Sequence, residues 1–433
     1  MKFMNPKQFI EFLAPFAFIV FSTIGNFKAT DLLKSLPIDA TIICAVSVIL
    51  IMSFYIIYSN FRLFPRNELF ILLLPISFFL AMLFSLVQID LANAYGISKA
   101  AIFFSLSFLC FIFPILMIRS TMFLRRYFLS YLIIQILVIL GLSSELLLNR
   151  DALRVSSLGS STIATGRNIC YFLISIIYLI SFESNGFLKV RQIFRVKAVF
   201  HTVKIVFLLS LCFFLLVAGS KGPILFLGLS LFITLLVSSK NVLNTLRKSI
   251  NAVVIVLVIL FPLTLLTNFL PQGSLTRFEN FLRLDFGDSE TTRIDAIKIS
   301  IEEILSNPQG IGFGDFNKLG VFDALPPEEY SDRQYPHNLI VEITLENGWL
   351  SGVLYVLTLI LAVILAAKMI KKTKENPMFV CFFCYLIFAI LNSQVSGELN
   401  DERILFGLIA MSFPLYWITH SESKKNMYGV HYA

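Results

Sequence analysis

The chain has 433 residues, of which 57% are hydrophobic and 14% charged, and its mean hydropathy is +0.82. A soluble domain of this size cannot cover so much apolar surface, so the composition excludes an ordinary soluble enzyme and indicates a membrane protein. The net charge of +8 does not require a nucleic-acid partner, because its distribution along the chain follows membrane topology.

Apolar runs of near 20 residues are long enough to cross the hydrocarbon core of a bilayer as helices. About twelve such runs predict an all-α, polytopic membrane protein whose partner is the lipid bilayer. The first run lacks the cleavage site of a removable signal peptide and is predicted to be a retained span. The predicted spans are centred on Phe9–Phe27, Thr41–Tyr58, Leu69–Val87, Ala100–Ile118, Tyr127–Leu142, Ile169–Ser181, Val203–Gly219, Pro223–Val237, Ala252–Leu270, Gly348–Ala367, Met378–Leu391 and Ile404–Thr419.

Basic residues are concentrated in alternate loops, beginning with Lys2 and Lys7 at the N-terminus. By the positive-inside rule, this pattern predicts cytoplasmic N- and C-termini. The chain then divides into residues 1–270 with nine spans, a large outer segment at 271–347, residues 348–420 with three spans, and a cytoplasmic tail at 421–433. His337 becomes the only one of the four histidines on the outer side.

Two smaller segments carry cations to the predicted outer face. Gly219-Ser220-Lys221-Gly222-Pro223 interrupts an apolar stretch too long for one span, and glycine and proline break helices. We therefore expect a tight hairpin with Lys221 at the outer interface, where it either snorkels to headgroups or binds an anionic ligand. The loop before Asn168 contains Arg154 and Arg167, which form either a solvated loop or a cationic rim for such a ligand.

Within the outer segment, Thr292 is a candidate N-cap for a helix whose isoleucines recur at helical spacing up to Leu305. Asn307-Pro308-Gln309-Gly310 ends that helix. The glycine-rich stretch from Gly310 to Gly314 is predicted to be a flexible turn, whose backbone is bare enough to approach a phosphate.

A second short helix is predicted from Leu339 to Leu345, closed by Asn347-Gly348, with an apolar face on or in the outer leaflet. His337 precedes it. The helix dipole disfavours an imidazolium there, so the ring is expected to be neutral and able to accept a proton. A structural hydrogen-bonding role is the alternative. Near His337, Lys221 and Arg293 would suit an anionic, lipid-linked substrate.

Cys381 and Cys384 form a C-x-x-C pair inside a predicted span. Small residues in membrane helices usually serve packing, so we interpret the pair as structural rather than as a redox or metal site. No metal-ligand spacing or nucleotide-binding motif occurs in the sequence, and neither a metal nor another cofactor is expected.

Three of these motifs together resemble the O-antigen polymerase and O-antigen ligase superfamily of bacterial membrane glycosyltransferases. They are Gly219-Ser220-Lys221-Gly222-Pro223, the stretch from Arg293 through Gly314, and the stretch from His337 through Gly352. The resemblance implies a GT-C-like fold in the bacterial inner membrane, with the large loop in the periplasm. It also implies a donor glycan on undecaprenyl diphosphate, attacked at its anomeric carbon by an acceptor hydroxyl without a metal.

The resemblance implies a catalytic role for His337, as activator of the acceptor hydroxyl, and a diphosphate-binding role for Arg293 and Lys221. Ligases usually carry arginine in the turn that holds Lys221 here, and lysine lacks the bidentate fork of arginine. A polymerase is therefore favoured over a ligase, with Arg154 and Arg167 as candidate additional diphosphate ligands. A chain-length regulator is a further candidate partner, and a non-catalytic translocator of lipid-linked sugar is the alternative from another class.

Overall fold

The computed structural model describes residues 5–27, 30–58, 70–148, 157, 161–177, 210–239, 288–321, 335–373 and 376–427. Every regular element in this part of the chain is helical, as the composition predicted. The α-helices are α1 Pro6–Thr23, α2 Asp31–Lys34, α3 Ala40–Tyr58, α4 Phe70–Phe84, α5 Ala94–Ile102, α6 Phe108–Met117, α7 Met122–Leu148, α8 Thr162–Ser175, α9 Lys221–Ser238, α10 Asp288–Ser306, α11 Leu339–Lys372, α12 Pro377–Ser396 and α13 Arg403–Met427.

Nine helical units among the described residues are long and apolar enough to cross a membrane. They coincide with nine of the predicted spans, which confirms a many-span, all-helical membrane protein. The other three predicted spans, Ile169–Ser181, Val203–Gly219 and Ala252–Leu270, lie partly or wholly outside the described residues. The total of twelve, the periplasmic placement of the large loop and the domain bounds therefore remain predictions. The units are Pro6–Phe27, Ala40–Tyr58, Phe70–Gln88, Ala94–Met117, Met122–Leu147, Lys221–Ser238, Leu339–Lys372, Pro377–Ser396 and Arg403–Ser421.

The three C-terminal helices α11, α12 and α13 pack against one another at the centre of the bundle. Their apolar side chains dominate the core, and Tyr355 and Tyr385 are among its largest fully buried residues. Cys381 and Cys384 are both buried thiols of α12, and Cys384 contacts Ser230 of α9. That environment agrees with a packing role for the pair.

Helix α11 is broken at Gly348, whose φ of 80° and ψ of 169° are not helical. The predicted end of a short helix at Asn347-Gly348 is thereby confirmed. However, the short segment, residues 339–347, does not lie on the leaflet, because Leu339, Ile343 and Leu345 are buried within the protein. The same segment carries the buried Glu342 and Glu346, which need polar partners that only the protein interior supplies.

The glycine-rich turn at 310–314 packs against this break. The backbone N–H of Ile311 donates to the Leu345 carbonyl at 2.9 Å, and that of Gly312 donates to the Glu346 carbonyl at 3.0 Å. A Cβ atom added to Gly310 would lie 2.6 Å from the Gly348 nitrogen. These glycines therefore permit close packing of two backbone segments, and the N–H groups of residues 311 and 312 are not available to a phosphate.

Helix α10 begins at Asp288, four residues before the predicted N-cap Thr292. Its buried face also differs from the prediction, because Ala296, Ser300 and Ile304 are buried while Ile294 and Ile301 are exposed. Small side chains allow α10 to approach α11 closely, and hydropathy alone does not register that preference. Arg293 lies about one turn before Ala296, on the side of α10 that faces the bundle.

Candidate functional site

The candidate site lies at the C-terminal end of α12. The last carbonyls of a helix have no donors within it, and cations are favourable there because of the helix dipole. Three side chains from distant parts of the chain supply donors. The bonds run from Arg167 Nη2 to the Asn392 carbonyl at 3.3 Å, from Asn338 Nδ2 to the Gln394 carbonyl at 3.1 Å, and from Arg293 Nη1 to the Val395 carbonyl at 3.3 Å.

His337 directly precedes the residue that starts α11. Asn338 is the N-cap, and its side-chain oxygen accepts from the Val341 N–H at 3.0 Å. His337 has φ of 58° and is the only residue other than glycine with a positive φ among the described residues. Such a backbone costs on the order of 1–3 kcal/mol and persists only where surrounding contacts impose it. The imidazole packs on Tyr335, with ring centroids 4.3 Å apart.

Burial and, to a smaller extent, electrostatic repulsion from the Arg293 guanidinium together lower the pKa of His337 to about 3. The imidazole is therefore neutral at physiological pH, as predicted. The causes differ from the one that the sequence suggested, because desolvation and a neighbouring cation act here rather than the helix dipole.

Arg167 is compensated from within the protein. Its Nη1 lies 2.8 Å from Glu402 Oε1, and its Nη2 donates to Ser396 Oγ at 2.8 Å. Burial raises the pKa of Glu402, and the ion pair with Arg167 opposes that rise. Arg167 thus ties α8 to α12 and to the loop at 397–402, while its role as a diphosphate ligand remains a prediction.

Lys221 is the first residue of α9 and follows a sharp break in the chain. Residues 210–217 are helical, Gly219 has φ of 62°, and Ser220 precedes the new helix, so the break predicted at this motif is present. Ser220 Oγ donates to the Thr162 carbonyl at 2.9 Å. Ser220 also packs closely against Gly166: a Cβ atom added to Gly166 would lie 3.1 Å from the Cβ of Ser220.

These contacts bring four predicted site residues to one end of the bundle. Gly166 adjoins Arg167, so the turn before Lys221 lies beside the arginine that bonds to α12, and Arg293 bonds to the same helix end. His337 adjoins Asn338, which bonds there as well. Arg154, the fifth, lies outside the described residues.

A buried ionic cluster beside this site was not predicted. Lys99 Nζ lies 2.6 Å from Oε1 of both Glu342 and Glu346, and all three side chains are fully buried. Glu342 also accepts from the Leu399 N–H at 3.2 Å. The cluster joins α5, the 339–347 segment and the loop at 397–402. The i, i+4 spacing of the two glutamates was a visible signal, whereas nothing in the sequence paired them with Lys99.

Within the part of the chain that the structure describes, no group of three or more His, Cys, Asp or Glu side chains is arranged to hold a metal ion. The α12 terminus brings together a neutral imidazole, guanidinium groups and a lysine. Such a set can bind an anion and accept a proton beside it.

Residues 205–356 match the family model described as O-antigen ligase. No curated protein matches the chain. The matched segment covers about a third of the chain and contains Lys221, Arg293 and His337. The resemblance to the O-antigen polymerase and ligase superfamily is thus confirmed over this segment. With the membrane-spanning helices, it indicates a multi-pass protein of the bacterial inner membrane with polymerase- or ligase-type activity.

Proposed function

We propose that this chain, whose residues 205–356 match the O-antigen ligase model, polymerises repeat units of O-antigen or a related polysaccharide carried on undecaprenyl diphosphate. The proposal rests on one observation above all. The Arg293 guanidinium and Asn338, the residue that follows the buried, neutral His337, are held at the same helix end by bonds to the carbonyls of Val395 and Gln394.

In the proposed reaction, the donor diphosphate lies against Arg293 and Lys221 at the outer face. An acceptor sugar hydroxyl attacks the anomeric carbon of the donor, a new glycosidic bond forms, and the bond from that carbon to the diphosphate oxygen breaks. Undecaprenyl diphosphate leaves with the electron pair. The hydroxyl proton passes to His337, and from there to solvent or to the leaving diphosphate.

Donor binding strengthens His337 as a base. A pKa of about 3 is too low for efficient proton abstraction near neutral pH. The negative charge of a bound diphosphate offsets the field of Arg293 and favours the imidazolium, which raises that pKa. The residue would therefore become an effective base only in the presence of donor.

Basic side chains serve in place of a metal, since they hold the charge that develops on the leaving diphosphate. Lysine at position 221 binds phosphate as a point charge without the bidentate geometry of arginine. That difference from the usual ligase turn favours polymerase over ligase.

Deletion of the gene separates the polymerase from the ligase. Loss of a polymerase leaves single repeats attached to lipid A–core, whereas loss of a ligase leaves no attached repeats and accumulates lipid-linked chains. A translocator needs cations along a path between the leaflets, and in the described residues Lys99 is already paired with two glutamates. Lipid-linked repeats that stay on the cytoplasmic face after deletion would support the translocator.

His337→Asn tests the base directly. Asparagine tolerates a left-handed backbone better than most residues, so the variant keeps the local fold but has no imidazole. Glycine at the same position is the matched control, because it removes the backbone strain as well as the ring. We expect both variants to accumulate normally and to lose about 10²- to 10⁴-fold of the polymerisation rate. Wild-type chain lengths from His337→Asn would exclude the assigned role.

A further inference from the structure

Arg403 is a buried arginine that the proposed reaction does not use. It begins α13 and is only 6% exposed. Its Nε donates to the Asn400 carbonyl at 3.4 Å, but its buried Nη1 has no hydrogen-bond partner among the described residues. No described carboxylate forms an ion pair with it. A buried guanidinium without a counter-charge is strongly unfavourable, and the described part of the chain does not supply one.

The described surroundings of Arg403 include small and apolar residues. Gly25, in the turn after α1, lies so close that an added Cβ would be 3.0 Å from Nη2. The thiols of Cys44 on α3 and Cys110 on α6 lie within range of electrostatic interaction with the Arg403 guanidinium. On α3, the neighbouring Ile42 and Ile43 are exposed, as is expected of a surface that faces acyl chains.

The backbone beside Arg403 adds further donors. In α13, the N–H of Phe406 donates to the Glu402 carbonyl, whereas the N–H groups of residues 403–405 precede the first carbonyl available within the helix. The positive end of the helix dipole lies at the same place. Asn400 Oδ1 is also buried without a hydrogen-bond partner among the described residues.

We propose that Arg403 and the N-terminus of α13 form a second anion site, which binds the phosphate of a membrane phospholipid. The site lies at the same end of the bundle as His337, because the loop at 397–402 also contacts Arg167 and Glu342. The described neighbours of Arg403 belong to the turn after α1, to α3 and to α6. The Nη edge of the guanidinium presents parallel N–H groups to two phosphate oxygens, while the acyl chains lie along α3.

The test uses the purified full chain in neutral detergent after removal of bound lipid. Thermal stability is measured with added phosphatidylglycerol, with diacylglycerol of the same acyl chains, and with inorganic phosphate. Wild type is expected to gain about 2–4 °C in Tm with saturating phosphatidylglycerol and nothing with diacylglycerol. Native mass spectrometry should show one retained phospholipid. An equal gain with inorganic phosphate would overturn the assignment to a lipid.

Arg403→Met predicts the direction in which the Tm of the lipid-free protein should change. Replacing an uncompensated buried charge with an apolar side chain should raise the Tm of the lipid-free protein and abolish the phosphatidylglycerol effect. Arg126→Met is the matched control, because Arg126 also lies beside α1 and donates to the Glu11 carbonyl; it should keep the full lipid effect. Survival of that effect in Arg403→Met would overturn the proposal.

A lower lipid-free Tm in Arg403→Met would also overturn the proposal, since it would show that the guanidinium has an internal partner. If Arg403→Met does not fold, Arg403→Lys takes its place. Lysine keeps the charge without the fork, so phosphatidylglycerol affinity should fall about tenfold, and an unchanged affinity would contradict the site.

Discussion

Arg167 and Arg403 flank one loop, residues 397–402, yet they meet opposite electrostatic environments. Arg167 forms an ion pair with Glu402, whereas the next residue in the chain, Arg403, turns away and has no acidic partner among the described side chains. The difference separates two uses of a buried cation. Arg167 is neutralised by Glu402 and joins helices, whereas Arg403 has no counter-charge among the described residues and is the group that we propose binds a phospholipid phosphate.

Arg293 stands between these two cases. Among the described residues, Arg293 donates to a carbonyl at 3.3 Å, which is a dipole rather than a full negative charge, so most of the field of its guanidinium remains available. That field already acts on His337. Arg167, Arg293 and Arg403 therefore differ in how much of their positive charge remains available to an incoming anion.

The largest effect is expected from Glu402→Gln. It leaves Arg167 partly buried without its counter-charge, and loss of one partner of a buried pair typically costs about 3–5 kcal/mol of stability. The free energy of unfolding in detergent measures this. Asp401→Asn is the control, since Asp401 is exposed and should be neutral. A double variant, Arg167→Met with Glu402→Leu, should recover much of the loss, and failure to recover would show that the pair is not an isolated unit.

A smaller effect is expected from Arg293→Lys, which keeps the charge and loses the guanidinium geometry. If Arg293 holds the donor diphosphate, KM for the lipid-linked donor should rise about tenfold, which corresponds to about 1.4 kcal/mol, while folding is unaffected. Lys298→Arg is the matched control on the same helix, because Lys298 is exposed and its partner among the described residues is the exposed Asp295. An unchanged donor KM in Arg293→Lys would remove Arg293 from the diphosphate site.

The pH dependence of stability tests the link between Arg293 and His337. The pKa of His337 falls from an ordinary 6.5 to about 3 on folding, so the unfolded chain binds an extra proton between these values. This stability is fully present above pH 6.5 and is lost as pH falls towards 3. Arg293→Gln removes one of the two causes and should reduce the acid-induced loss by about 1 kcal/mol. Thermal melts at pH 7 and pH 4 measure it, and equal losses in both proteins would contradict the coupling.

The smallest effect is expected from Asp90→Asn. Lys318 lies 2.8 Å from Asp90 and 2.9 Å from Asp315, and the hydrogen bond from Lys318 is the main cause that lowers the pKa of Asp90. Both side chains of that pair are exposed, so water screens the interaction. No measurable change in Tm is expected near pH 7. A large loss would show that surface pairs carry more of the stability than the buried ones beside Arg167.

Hydropathy and break residues predicted much of the fold. The nine membrane-spanning units fall on predicted spans because long apolar runs have few alternatives in a bilayer. The break at Gly348 was visible because Asn-Gly ends helices. The isoleucine face of α10 was predicted correctly at Ile304, which is buried, but not at Ile294 and Ile301, which are exposed. Ala296 and Ser300 complete the buried face, because small side chains permit close helix packing.

The sequence identified which residues belong to the candidate site, but it did not identify the residues with which they form hydrogen bonds and ion pairs. Lys221, Arg293 and His337 stood out because cations and imidazoles are scarce in this chain. The ion pairs beside the site could not be predicted, since Glu402 lies 235 residues from Arg167 and Glu346 lies 247 residues from Lys99. One sequence contains no record of such pairings. The positive φ of His337 was not predicted either, because the local sequence gives no signal for it.

The bonds at the end of α12 connect residues separated by 225, 102 and 56 positions in the chain. No part of the site is therefore complete until α8, α10, α11 and α12 have all assembled. If the proposed glycosyl transfer takes place there, a chain in which these helices have not yet assembled has no half-formed centre where water could replace the acceptor hydroxyl.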